Sequence, residues 1–198
     1  MMMPKILKPA GYTSAMIGKW GQLPLGPAEF GFDEYLRFFG SGVYHSTPDK
    51  KEKYVMNGKD LVLKENVYMP ELMHNTMVDF VSKHTKDPFY LYYSLVHVHG
   101  EIMATPDTKP GTTDYQSLYN DNISYMDKLV GKLLKTLDSL KIRDNTLIVF
   151  FGDNGTAGQA ATIGTVNGKK IIGKKGTMQE GGSLVPFIAN WPGVTPKG

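Results

Sequence analysis

Asn145-Thr146-Leu147-Ile148-Val149-Phe150-Phe151-Gly152-Asp153-Asn154-Gly155 is the stretch around which the rest of this chain is organised. Its centre, Leu147–Phe151, is a continuous apolar run of branched and aromatic residues, the pattern of a strand buried on both faces of a parallel sheet. Asp153 and Asn154 stand at its carboxyl end. In open α/β sheets ligands bind outside the carboxyl ends of the strands, which makes this pair a candidate for hard-cation or substrate chemistry. Asp-Asn-Gly is also ordinary turn chemistry, so the pattern alone leaves both readings open.

Working outward, the residues before this stretch read as a long helix over 114–141, with Leu118, Ile123, Met126, Val130, Leu133, Leu137 and Leu140 on or near one face. A second core strand is expected over Phe89–Val96, followed at once by His97 and His99. Before it lies a helix, Pro70–His84, opened by Pro70 and striped by Met73, Met77, Phe80 and Val81. Asn57-Gly58 marks a small hairpin within 54–63. Residues 21–53, rich in Gly, Pro and aromatics, read as an irregular connection folded over a site, and 12–17 as a short strand after a helix end at Ile6-Leu7. Downstream come a Gly/Thr/Ala-rich loop to Lys170, the run Gly173–Gly182, a strand over 184–190 and a turn at Trp191-Pro192-Gly193. Strands alternating with helices imply an α/β fold, a mostly parallel sheet flanked by helices, in one domain.

Composition narrows the chemistry. A chain of 198 residues, 41% hydrophobic and 21% charged, can build a sizeable core. The net charge of +3 is spread out except at Lys50–Lys53 and Lys169–Lys175, too little to argue for nucleic acid. The absence of cysteine removes disulfides, thiolate metal sites and a cysteine nucleophile from these residues. No apolar run approaches membrane-spanning length, and residues 1–9 lack the apolar core of a signal peptide.

Four separated segments, in order, resemble one family. Gly11-Tyr12-Thr13 with Gly18-Lys19-Trp20 resembles the Gly-Tyr-x-Thr…Gly-Lys-Trp-His segment of sulfatases. Pro88–Tyr93 followed by His97 and His99 is similar to their strand-then-histidine element, and Thr146–Gly155 to the strand ending in Asp-Asn-Gly. Lys175-Gly176-Thr177, Glu180-Gly181-Gly182, Val185-Pro186 and Trp191-Pro192-Gly193 resemble the block that follows it. By these segments together the chain is identified as a member of the sulfatase branch of the alkaline-phosphatase-like superfamily.

The resemblance implies that Asp153 and Asn154 are metal ligands, for calcium or sometimes magnesium, completed by two further aspartates. It implies that Lys19 and Lys175 direct ammonium groups at the sulfate, and that His99 binds the ester or protonates its leaving oxygen, with His97 the competing choice. The family nucleophile is a formylglycine made from the Cys or Ser of Cys/Ser-x-Pro-x-Arg. Neither that motif nor the paired aspartates stands in these residues. Ser46-Thr47-Pro48-Asp49-Lys50 is a superficial match in the wrong place, and Gly21 replaces the histidine after Gly-Lys-Trp.

The chain therefore reads as an internal part of a sulfatase catalytic domain, 1–198, inactive alone. The implied substrate is a sulfate-ester small molecule or glycan, and the implied location periplasmic, secreted or lysosomal. A ligand-binding relative without catalysis and a phosphatase or phosphodiesterase relative are the alternatives. Missing neighbours for the strands at 89–96 and 147–151 imply exposed edges and self-association.

Overall fold

The computed structural model describes residues 2–21, 24–47 and 53–196. In chain order these form α1 (Met3–Leu7), β1 (Thr13–Lys19), β2 (Glu34–Phe38), β3 (Tyr54–Met56), β4 (Lys59–Asp60), α2 (Met69–Lys83), β5 (Phe89–Ser94), α3 (Tyr115–Ser139), β6 (Ile148–Phe151), β7 (Thr165–Val166), β8 (Lys169–Lys170), α4 (Glu180–Ser183) and β9 (Phe187–Asn190). The superficial nucleophile match at Pro48-Asp49-Lys50 lies outside the described residues.

The main sheet has the order β4-β3-β2-β1-β5. β1 runs parallel to β2 and to β5, and the antiparallel pairs lie at the margin, where β3 joins β2 and turns back through Asn57-Gly58 into β4. Residues Ser14–Gly18 are buried throughout, because β1 is covered on both faces. Ala15 and Ile17 meet the helices, where Met69, Met73, Met77 and Phe80 of α2 and Leu129 and Leu137 of α3 close the core. Met16 faces the other way, toward Trp20 and Phe32. α3 starts where Asp114 accepts a 2.8 Å hydrogen bond from the Ser117 N–H, an N-cap that satisfies a donor the first turn leaves free.

Two expectations are corrected. Residues 21–53 are not wholly irregular: β2 lies within them and pairs with β1 from Ala15↔Glu34 to Lys19↔Phe38, burying Leu36 and Phe38. The strand at 147–151 is not buried on both faces. β6 belongs to a separate two-stranded sheet with β9, antiparallel, in register Ile148↔Asn190 to Phe151↔Phe187. Ile148 packs with Leu137, Leu140 and Ile142 beside Phe89 and Leu91, while Val149 and Phe151 remain 43% and 55% exposed. An all-apolar run specifies a strand but not how many layers cover it.

Among the described residues the outer edges of β5 and β6 have no strand beside them. Phe187 and Ile188 of β9 are exposed as well. Unpaired edges next to apolar side chains recruit other chains. We predict that a polypeptide of these residues elutes above its 22.0 kDa mass by light scattering coupled to gel filtration. A sharp peak at monomer mass with a cooperative thermal transition refutes this.

Candidate active site

The carboxyl ends of β1, β2 and β5 open on one edge of the sheet. β1 ends in Lys19, half-buried, and no carboxylate among the described residues pairs with it. Beyond β5 the backbone turns through Val98, whose φ of 59° is strained for a β-branched residue. That turn sends the two histidines to different surroundings.

His97 goes inward and is 5% exposed. Its Nε2 lies 3.2 Å from the Tyr68 hydroxyl, and the rings of Tyr44, Tyr68 and Tyr125 surround it. Burial penalises the imidazolium and holds the pKa down at about 4, so His97 is neutral near neutrality.

His99 is half-buried at the edge of the sheet. The Tyr44 hydroxyl donates a 3.3 Å hydrogen bond to its backbone carbonyl. Its Nδ1 is buried without a hydrogen-bond partner among the described residues. Gly42, at φ 62°, lies against it: a Cβ there would stand 3.0 Å from Nδ1 and 2.9 Å from the Gly100 carbonyl. Glycine therefore lets the loop after β2 lie on the imidazole. Sequence reasoning missed Gly42, Tyr44 and Tyr68. Gly40-Ser41-Gly42 reads only as a turn, and nothing local to Tyr44 or Tyr68 announces partners so far along the chain.

A second group forms beyond β6. Asp153 is exposed and Asn154 half-buried, its Nδ2 donating to the Gly155 carbonyl at 3.0 Å. The Gly155 N–H donates to the Gly182 carbonyl at 3.0 Å, the Lys175 N–H to the Thr156 carbonyl at 2.8 Å, and the Gly181 N–H to the Ile172 carbonyl at 2.8 Å. The Asp-Asn-Gly loop and the Lys175 loop are thus stitched together through backbone. A Cβ on Gly155 would lie 1.9 Å from the Gly181 carbonyl, so only glycine permits this approach. No hydrogen bond or ion pair among the described residues links Asp153, Asn154 or Lys175 to Lys19 or His99.

Together these side chains offer two ammonium groups that suit an oxyanion, an imidazole that can exchange a proton, and two oxygen donors that suit a hard cation. The donors are of the right kind but too few. Calcium takes about six to eight oxygens, and among the described residues no group of three His, Asp or Glu could hold a metal ion. These residues therefore do not make a complete cation site. We predict that calcium does not stay with a polypeptide of these residues through dialysis. Stoichiometric calcium by elemental analysis afterwards contradicts that.

The comparisons with known proteins agree across the whole length. The family profile described as Sulfatase matches residues 1–198. N-acetylgalactosamine-6-sulfatase of Canis lupus familiaris is 32% identical over 219 residues, covering 100% of this chain and 41% of that protein. The Arylsulfatase of Hemicentrotus pulcherrimus is 28% identical, covering 97% of this chain and 38% of the relative. The crystal structure of Ps i-CgsB in complex with k-i-k-neocarrahexaose superposes with a TM-score of 0.78 at 30% identity, over 98% of this chain and 48% of the other. The chain spans about two fifths of the length of the curated relatives it matches. It belongs to the sulfatase family.

Proposed function

We propose that the protein carrying these residues hydrolyses sulfate esters of carbohydrates, and that residues 1–198 form part of its catalytic domain. The observation that carries this is the match of the entire chain to sulfatases, and the Lys19, His99, Asp-Asn-Gly and Lys175 segments that resemble the family's motifs support it. A carbohydrate ester is favoured over a simple aryl ester because relatives are named for N-acetylgalactosamine 6-sulfate and a related structure holds a neocarrahexaose. A location in a lysosome, in the periplasm or outside the cell fits such substrates. No described helix is long and apolar enough to cross a membrane.

In this reading Lys19 and Lys175 draw negative charge off the sulfuryl oxygens as the ester bond breaks. His99 donates a proton to the departing sugar oxygen. His97 is unsuited to that task, being buried, bonded to Tyr68 and hard to protonate. Asp153 and Asn154 contribute to a calcium or magnesium site whose other ligands are not among these residues. The cation, when bound, and a formylglycine hydrate supply further charge neutralisation and the nucleophile.

The test is Lys175→Gln in the whole protein, assayed on a sulfated sugar. Removing one preorganised cation from the transition state is expected to lower kcat/KM by roughly 10²-fold, whereas Lys135→Gln on the outer face of α3 changes it little. Equal activity of Lys175→Gln and wild type refutes the role of Lys175.

A further inference from the structure

The loop that carries Lys175 has chemistry beyond that one residue. Between Asp153 and Glu180 stand Lys169, Lys170, Lys174 and Lys175, and no Asp or Glu. None of the four makes an ion pair or a side-chain hydrogen bond among the described residues, whereas Lys8, Lys83, Lys128 and Lys132 each have a carboxylate within reach. Asn167 and Gly168, both at positive φ, turn β7 into β8 and place Lys169 and Lys170 on the returning strand.

Lys170 and Lys174 line an open cleft of about 490 Å³. Its walls also carry the hydrogen-bonding side chains of Thr162 and Gln179 and the apolar side chains of Ile171 and Ile172. Hydroxyl-matching groups, an apolar surface and unpaired ammonium groups together suit a sugar ring bearing an anion. The volume falls within the range of small-ligand sites, about 300–1,000 Å³. Backbone bonds from Ile171 to Gly164, from Lys175 to Thr156 and from Gly181 to Ile172 hold this cleft and Lys175 on one stitched segment.

We propose that this cleft is a second anion site, which binds a sulfate or carboxylate on a sugar neighbouring the one whose ester is held at Lys175. The ligand it selects is a chain of acidic sugars rather than a monosaccharide sulfate. The proposal rests on the sulfatase reading of Lys175. Two weak sites on one ligand act together because binding at the first raises the local concentration at the second.

The experiment is calorimetric titration of the whole protein, kept free of cation so that the sugars bind and are not hydrolysed, with three tetrasaccharides of one backbone: one singly sulfated, one multiply sulfated, one singly sulfated with carboxylates elsewhere. The wild-type protein is expected to bind a multiply charged sugar at least about tenfold more tightly than the singly sulfated one. Lys170→Gln with Lys174→Gln is expected to erase that advantage and leave the singly sulfated affinity unchanged, with circular dichroism reporting an intact fold. An advantage seen with both charged sugars, or with only one, supports the site and identifies the anion. Equal wild-type affinities, or an advantage that survives the double substitution, overturn it. Lys175→Gln reports separately on the parent reading: it should weaken the singly sulfated sugar, and a protein that binds no sugar at all overturns both.

Discussion

Purified and supplied with calcium and an aryl sulfate, a polypeptide of these 198 residues is expected to release phenol at least about 10³-fold more slowly than full-length sulfatases do. The covalent step has no agent here. There is no cysteine, and no serine stands in Ser-x-Pro-x-Arg. Ser46, which opens the superficial match, is buried and committed, its hydroxyl bonded to the Lys64 carbonyl and accepting from the Val67 N–H. What remains, on the proposed reading, is electrostatic positioning by Lys19, Lys175 and His99, and removal of a nucleophile leaves only a small part of the acceleration. Turnover comparable to that of the complete enzymes would mean that a nucleophile is present which neither motif nor geometry reveals.

The largest effect on stability is expected at Gly18. It sits opposite Ser94 in the β1–β5 register, at φ 119°, and a Cβ there would lie 2.1 Å from the Ser94 carbonyl and 2.7 Å from Met73 Cε. The methionine tip can move, but the carbonyl can yield only if β1 and β5 part. Gly18→Ala is therefore expected to destabilise the chain by roughly 3–5 kcal/mol in denaturant unfolding. Gly11→Ala is the control, since Gly11 also has positive φ, 82°, but open space around it. It should lose only about 1–2 kcal/mol, the conformational term alone. If the two substitutions cost the same, close strand approach is not what Gly18 serves.

Much of this architecture is legible in the letters. Apolar spacing places α2 and α3 within a residue or two, Asn57-Gly58 places the β3–β4 turn, and the block around β1 and β5 places the parallel core. β2 escapes because a five-residue strand among glycines and aromatics leaves too short a period to detect, although Leu36 and Phe38 alternate with Tyr35 and Arg37 as half-buried strands do. The exposure of β6 escapes because an apolar run does not specify the number of its neighbours. The burial of His97 against Tyr68, a partner 29 residues away, escapes because such contacts exist only once the chain has folded. Conversely, the glycines at 155, 181 and 182 are visible as motif letters, yet their task, backbone lying on backbone, is visible only in three dimensions.

That glycine contact has a consequence for how such a protein can diverge. Neither Gly155 nor Gly181 can accept a side chain, since a Cβ on Gly155 would lie 1.9 Å from the Gly181 carbonyl and a Cβ on Gly181 would lie 2.4 Å from the Gly173 carbonyl. Between Thr156 and Ile172, by contrast, the two anchoring bonds leave a loop whose tip, Thr165–Lys170, is exposed throughout. Tolerance of change is thus partitioned within a few dozen residues: a fixed glycine clasp beside the proposed cation and sulfate positions, and an exposed tip in which length and charge can be rewritten without disturbing that clasp.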